Sequence, residues 1–172
     1  MKTLTERLTE YAAYHRDPRN IATHFVGIPM IVVAVATLLS RPVFGAVGPL
    51  PLSLGVLAAG AAAVFYLLTD LRFGLLMTAL LVPTVWAGAG LAALSTGMWL
   101  GTGIGMFVVG WAFQFVGHYY EGRKPAFVDD LVGLLVGPMF VVAEVGFALG
   151  LLGEVRQQIE SRVGPTQLRP LA

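Results

Sequence analysis

The sequence predicts an all-α fold: a polytopic membrane helical bundle with four transmembrane helices, an N-terminal interfacial helix, and a fifth apolar helix that is bent or re-entrant. Three observations predict it. Hydrophobic residues make up 56% of the chain, charged residues only 12%, and mean hydropathy is +0.77, against roughly 45–50% apolar and about 25% charged in soluble domains. Apolar stretches recur at residues 21–39, 52–69, 73–94 and 98–117, each near the ~20 residues that cross about 30 Å of hydrocarbon. Short polar turns separate them, notably Asp70-Leu71-Arg72 and Ser95-Thr96-Gly97. Residues 1–155 therefore read as one integral membrane domain and residues 156–172 as a polar C-terminal tail.

Each element has a local cause. Thr3-Leu4-Thr5-Glu6 is a capping-box pattern that starts a helix over residues 3–16. Leu4, Leu8, Tyr11, Ala12 and His15 share one face of it, so the helix is expected to lie at the membrane surface with His15 toward the apolar side. The start is polar and lacks a short apolar core, so no cleavable signal peptide is expected. Pro18 disfavours helical geometry at Asp17 and breaks the helix, and Asn20 is expected to cap the next one. In one continuous helix, His15 and His24 would point about 180° apart; a turn at Pro18 lets them converge.

Further along, Pro83 is expected to kink the third span, while Ala59, Ala63, Gly97, Gly101 and Gly105 offer small surfaces for close helix packing. The fifth apolar stretch, residues 131–152, contains Gly137-Pro138 and Glu144. A bend at Gly137-Pro138 would return Arg156, Arg162 and Arg169 to the side rich in basic residues, with Asp129 and Asp130 capping the start. Residues 164–172 are expected to be disordered.

Four crossings bring the end of the fourth span back to the face on which the first begins, so His15, His24 and His118 share a face. Lys2, Arg7, Arg16, Arg19, Arg72, Arg123 and Lys124 lie on that face and Arg41 opposite, which makes it cytoplasmic. These are the only histidines in the chain, and there is no cysteine. Disulfides, thiolate ligands and a cysteine nucleophile are thereby excluded. A formal charge of +1 gives no nucleic-acid footprint.

Three converging imidazoles suit a divalent first-row metal. Gln114, His118 and Glu121 follow i, i+4, i+7 spacing and line one helical face. Glu121 then serves as a further ligand, as an acceptor that orients a ring, or as a structural ion pair; Gln114 orients a ring or a bound water, or bonds between helices. Arg123 and Lys124 follow the positive-inside bias and are candidates to attract a substrate head group. Tyr119 and Tyr120 read as interfacial belt residues, and Glu144 as a group that is protonated or paired in the bundle.

The two-part pattern is specific. Tyr14-His15, Asn20, His24 and Gly27-Ile28-Pro29, followed by Gln114-Phe115-Val116-Gly117-His118, Glu121 and Pro125-Ala126, resembles the membrane 2-hydroxy fatty acid dioxygenase family. The resemblance implies Fe(2+)-dependent α-oxidation, in which molecular oxygen cleaves the C1–C2 bond of a 2-hydroxy fatty acid to give an acid one carbon shorter. It also implies that His15, His24 and His118 are the iron ligands, with Glu121, Asn20 and Gln114 beside them as catalytic residues. A fourth histidine ligand within the subunit is excluded, so water, Glu121 or substrate completes the shell. Two other classes compete: a zinc-dependent membrane lipid hydrolase, and a non-catalytic membrane transport or assembly protein. The expected partners are the substrate, oxygen and the lipid bilayer, with room for a homo-oligomer.

Overall fold

The computed structural model describes residues 2–170. It is almost wholly helical, with elements α1 (Leu4–Ala12), α2 (Pro18–Leu38), α3 (Leu54–Thr69), α4 (Leu71–Ala92), α5 (Thr96–Glu121), α6 (Gly133–Ala148) and α7 (Gly153–Val163), plus one hairpin, β1 (Val43–Val47) and β2 (Leu50–Ser53). This is the membrane helical bundle that composition predicts. Three helices, α2, α4 and α5, are long and apolar enough to cross a bilayer, and α6 with α7 passes the same test as a bent pair. The second apolar stretch yields a helix of 16 residues, about 24 Å at 1.5 Å per residue, because Leu52 and Ser53 are used to close the hairpin.

The chain divides into two compact units, Pro29–Gly110 and the combination of Met1–Ile28 with Trp111–Ala172. In the Pro29–Gly110 unit, α3 and α4 form an antiparallel pair about Asp70. Asp70 leaves helical geometry and its carboxylate accepts from the Phe73 amide at 2.7 Å, so one residue ends α3 and caps α4. Close packing falls on Gly74, where a Cβ would lie 2.5 Å from the Tyr66 carbonyl oxygen, and on Gly88, against Ala36. The expected small surfaces at Gly97, Gly101 and Gly105 instead face open space. Periodicity shows that a face is small without showing what lies opposite. Trp99 Nε1 donates to the Thr37 carbonyl at 2.8 Å, and Arg41 lies over the Trp99 ring. Pro83 is accommodated within α4.

In the other unit, the Thr3 capping box forms as expected, with the Glu6 amide donating to Thr3 and the Thr3 amide to Glu6. The helix stops at Ala12, short of the expected 3–16, and its face of Leu4, Leu8, Tyr11 and Ala12 packs on α6 and α7. The start of α2 also differs. Asp17, rather than Asn20, is the cap: its Oδ1 accepts from the Arg19 amide at 2.8 Å, and Pro18 occupies the first helical position, where a missing amide proton costs nothing. Likewise Pro138 lies inside α6. The 113° bend falls between α6 and α7, where Gly150 and Leu152 take positive φ of 75° and 55°. Pro138 is the sixth residue of α6, beyond the four amides that lack helical partners, yet the helix runs on through it to Ala148, so Gly-Pro at 137–138 does not interrupt it.

Residues 164–170 are not a loose tail. The Gln167 amide donates to the Arg16 carbonyl at 2.9 Å and the Arg169 amide to Asp17 Oδ2 at 2.8 Å, so the chain after the bend returns to the residues joining α1 and α2.

Leu8 is fully buried beneath α1, and deleting such a side chain costs about 2–5 kcal/mol. Leu8→Ala is therefore expected to lower the thermal unfolding midpoint of the detergent-solubilised protein sharply. Glu10→Ala, at an exposed position on the same helix, should stay within about 0.5 kcal/mol of wild type.

Candidate metal centre

The start of α2 and the end of α5 pack with almost no space between them. At Gly117, a Cβ would collide with Thr23 Oγ1 and lie 2.5 Å from Asn20 Oδ1 and 3.2 Å from His24 Nδ1. This absence of a side chain lets His118, one residue later, reach the segment that carries His15 and His24. The three rings cluster with centroids 4.5 Å apart for His15 and His24, 4.9 Å for His15 and His118, and 5.2 Å for His24 and His118. All three are buried, and one nitrogen from each lies within 4.8 Å of the others. Three histidines that share a face by sequence reasoning thus share a point.

Hydrogen bonding fixes two of the tautomers. His15 Nδ1 lies 2.7 Å from the Tyr11 carbonyl oxygen and His24 Nδ1 lies 2.9 Å from the Asn20 carbonyl oxygen. A carbonyl only accepts, so both Nδ1 atoms carry protons, and in neutral rings both Nε2 atoms carry lone pairs. Those two Nε2 atoms face each other at 3.1 Å. A proton shared between them would require an imidazolium. Burial, followed by the charge of His24, holds His15 well below the usual imidazole range, which opposes that form. A cation accepting both lone pairs resolves the conflict. Imidazole nitrogens sit roughly 2.0–2.1 Å from a first-row metal, which places two adjacent ligand atoms about 3.0–3.4 Å apart. His15 is further held by stacking on Tyr11, at 4.1 Å and an interplanar angle of 5°.

On the same two segments, three buried polar atoms lack a hydrogen-bond partner: His118 Nδ1, Asn20 Oδ1 and Gln114 Nε2. Buried polar atoms are ordinarily paired. An unpartnered ring nitrogen in a cluster with two facing lone pairs makes a site built to receive a cation. The donor set and these orphan atoms fit a divalent cation with a polar ligand next to it.

Glu121 is turned away from that cluster. Its Oε2 accepts from the Arg16 amide at 2.9 Å, the Asp17 amide at 2.8 Å and Asn20 Nδ2 at 3.0 Å. Its Oε1 lies 2.9 Å from Arg169 Nη2, within ion-pair range although off hydrogen-bond alignment. Asn20 joins the two halves, donating to both Glu121 and the Tyr14 carbonyl. Asp17, also fully buried, is paired with Arg19, whose hydrogen bonds hold its carboxyl below the usual carboxylate range. Sequence reasoning missed Asp17 and Arg169 as part of this support. Asp17 was visible only as a helix break, and Arg169 carried no signal.

The remaining candidates lie farther out. Arg123 donates to the Ala13 carbonyl at 2.8 Å, and Lys124 pairs at 2.6 Å with Asp129, which also accepts from Tyr14. Both cations are exposed. Asp129 is therefore engaged by side chains, whereas Asp130 accepts from the Val132 amide near the start of α6. Glu144 faces Arg16 at 3.8 Å across a cavity of about 180 Å³ that Arg156 and Glu160 also line. The histidines do not line that cavity.

Comparison with known proteins now bears on this geometry. The model of the family described as "2-hydroxy-palmitic acid dioxygenase Mpo1-like" matches residues 1–149. The chain belongs to this family. One curated relative is "2-hydroxy-palmitic acid dioxygenase MPO1" of Saccharomyces cerevisiae, 32% identical over 159 residues that cover 91% of this chain and 87% of the relative. No solved structure matches the chain. The family match contains all three histidines, Asn20, Gln114 and Glu121, and ends before α7 and Arg169.

An added methyl at Gly117 must push α2 away from α5, an overpacking cost of about 1–3 kcal/mol. Gly117→Ala is expected to unfold at lower temperature than wild type, whereas Gly101→Ala, with open space around it, is expected to match or exceed wild type. Parallel thermal melts in one detergent check both.

Proposed function

We propose that the protein is an Fe(2+)-dependent dioxygenase that carries out α-oxidation of 2-hydroxy fatty acids, cleaving the C1–C2 bond to leave an acid one carbon shorter. The observation that carries this reading is the buried cluster of three histidines in which the Nε2 atoms of His15 and His24 face each other at 3.1 Å. Membership of a dioxygenase family supports the reaction class.

His15, His24 and His118 would hold the iron, and bound iron would supply oxygen activation and open positions for substrate. The chain's own residues do the rest. The Tyr11 and Asn20 carbonyls fix the two proton positions on His15 and His24, so both rings present lone pairs without rearrangement. Gln114 Nε2 offers a donor and Asn20 Oδ1 an acceptor, which suit the carboxylate and 2-hydroxyl of the substrate respectively. Glu121 keeps the residues between His15 and His24 in place through three hydrogen bonds. Arg123 and Lys124, exposed at the end of α5, add positive charge that attracts an acidic head group. The acyl chain remains beside the apolar helices. The clustered basic residues support a cytoplasmic position for this face.

Purified protein loaded with iron is expected to hold one iron per chain and to consume oxygen with 2-hydroxypalmitate. His24→Ala and His118→Ala should each lose the metal and at least about 100-fold in turnover. Turnover that persists without oxygen, or that zinc supports equally, would assign the site to a hydrolase instead.

A further inference from the structure

Outside the family match, Arg169 reaches back to both segments of the candidate site. Its Nη2 lies 2.9 Å from Glu121 Oε1 and its Nη1 donates to the Glu121 carbonyl at 3.3 Å. Its amide donates to Asp17 Oδ2 at 2.8 Å, and its carbonyl accepts from Arg19 Nη2 at 2.6 Å. One residue thus bonds the end of α5, which bears His118, and the turn into α2, which lies between His15 and His24. Two further bonds hold its segment: the Gln167 amide donates to the Arg16 carbonyl, and Arg16 Nη1 donates to the Gly164 carbonyl at 3.3 Å.

The charge arithmetic makes this contact more than a surface pair. Glu121 is 1% exposed, and its other three partners are neutral amides. Asp17 is fully buried but already has Arg19. Arg169 makes the ion pair with Glu121, and removing one partner of a buried pair leaves the other charge uncompensated. That loss weakens the grip of Oε2 on the Arg16 and Asp17 amides, which follow His15.

We infer that Arg169 is a positioning residue for the metal centre, and that residues 164–170 form a strap whose ionic end pairs with Glu121 and holds the three histidines in register. This rests in part on the metal reading of the histidine cluster. Partners that orient metal ligands are worth roughly 10–100-fold in affinity.

The test uses the full chain in lipid nanodiscs, with Co(2+) as the probe for affinity and ligand-field absorption. Backbone amide exchange at Arg16 and Asp17 serves as a readout that needs no metal. Arg169→Met is expected to bind Co(2+) about 10–100-fold more weakly, to shift the absorption bands, and to speed exchange at Arg16 and Asp17 while leaving α3 and α4 unchanged. Arg169→Lys, which keeps the charge, should recover part of both effects. In the double variant Arg169→Met/Glu121→Gln, the loss should be no greater than for Glu121→Gln alone, because an amide needs no counter-charge. Wild-type exchange at Arg16 and Asp17 in Arg169→Met, or unchanged Co(2+) affinity there, would overturn the inference. Wild-type protein that binds no Co(2+) would defeat the metal reading and the claim of metal positioning, while the exchange measurement still decides whether Arg169 anchors the turn.

Discussion

Everything at the functional end of this molecule depends on one buried carboxylate. A chain that turns sharply between two helices leaves backbone amides without helical partners, and at the edge of a membrane domain little water is present to satisfy them. Glu121 does so from about a hundred residues away, accepting two successive amides and the Asn20 side chain on a single oxygen. Because the acceptor sits at the last residue of α5 and the donors sit between His15 and His24, satisfying the turn also fixes where His118 stands. Backbone satisfaction and site assembly are the same event.

The histidines follow from that arrangement through opposite uses of size. Gly117 contributes no side chain, so α2 and α5 can approach until His118 meets the other two rings. Tyr11 contributes a large flat ring that stacks on His15 and a carbonyl that accepts the hydrogen bond of its Nδ1. Between them they turn three separate imidazoles into a set whose free nitrogens converge, in a region where unpartnered lone pairs are expensive.

Much of this was legible in the sequence. The three histidines stood out as the chain's only ones at the ends of two apolar stretches, and Asp17-Pro18 marked the turn that brings two of them together. The family resemblance rested in part on the three histidines, and these do cluster. What could not be read was who holds whom. Asn20 looked like a cap because amides cap helices, yet Asp17 lies nearer the first free amide, and Asn20 is spent on Glu121. Gly137-Pro138 looked like a break, but the bend falls where Gly150 and Leu152 adopt positive φ. Residues 164–170 looked polar and unstructured because their order comes entirely from partners elsewhere in the chain. Local pattern reports where a helix can form. It carries no information on distant acceptors.

The order of these residues along the chain has a consequence for biogenesis. His15 and His24 enter the membrane environment with α2, long before His118 exists and longer still before the segment that braces Glu121. A growing chain therefore presents two imidazoles with no third ligand and an unsatisfied turn beside them. On the proposed metal reading, such a half-site holds metal poorly and the centre matures only after translation of the last helices. Loading is then a property of the finished protein, and a chain stalled during synthesis would carry its histidines empty.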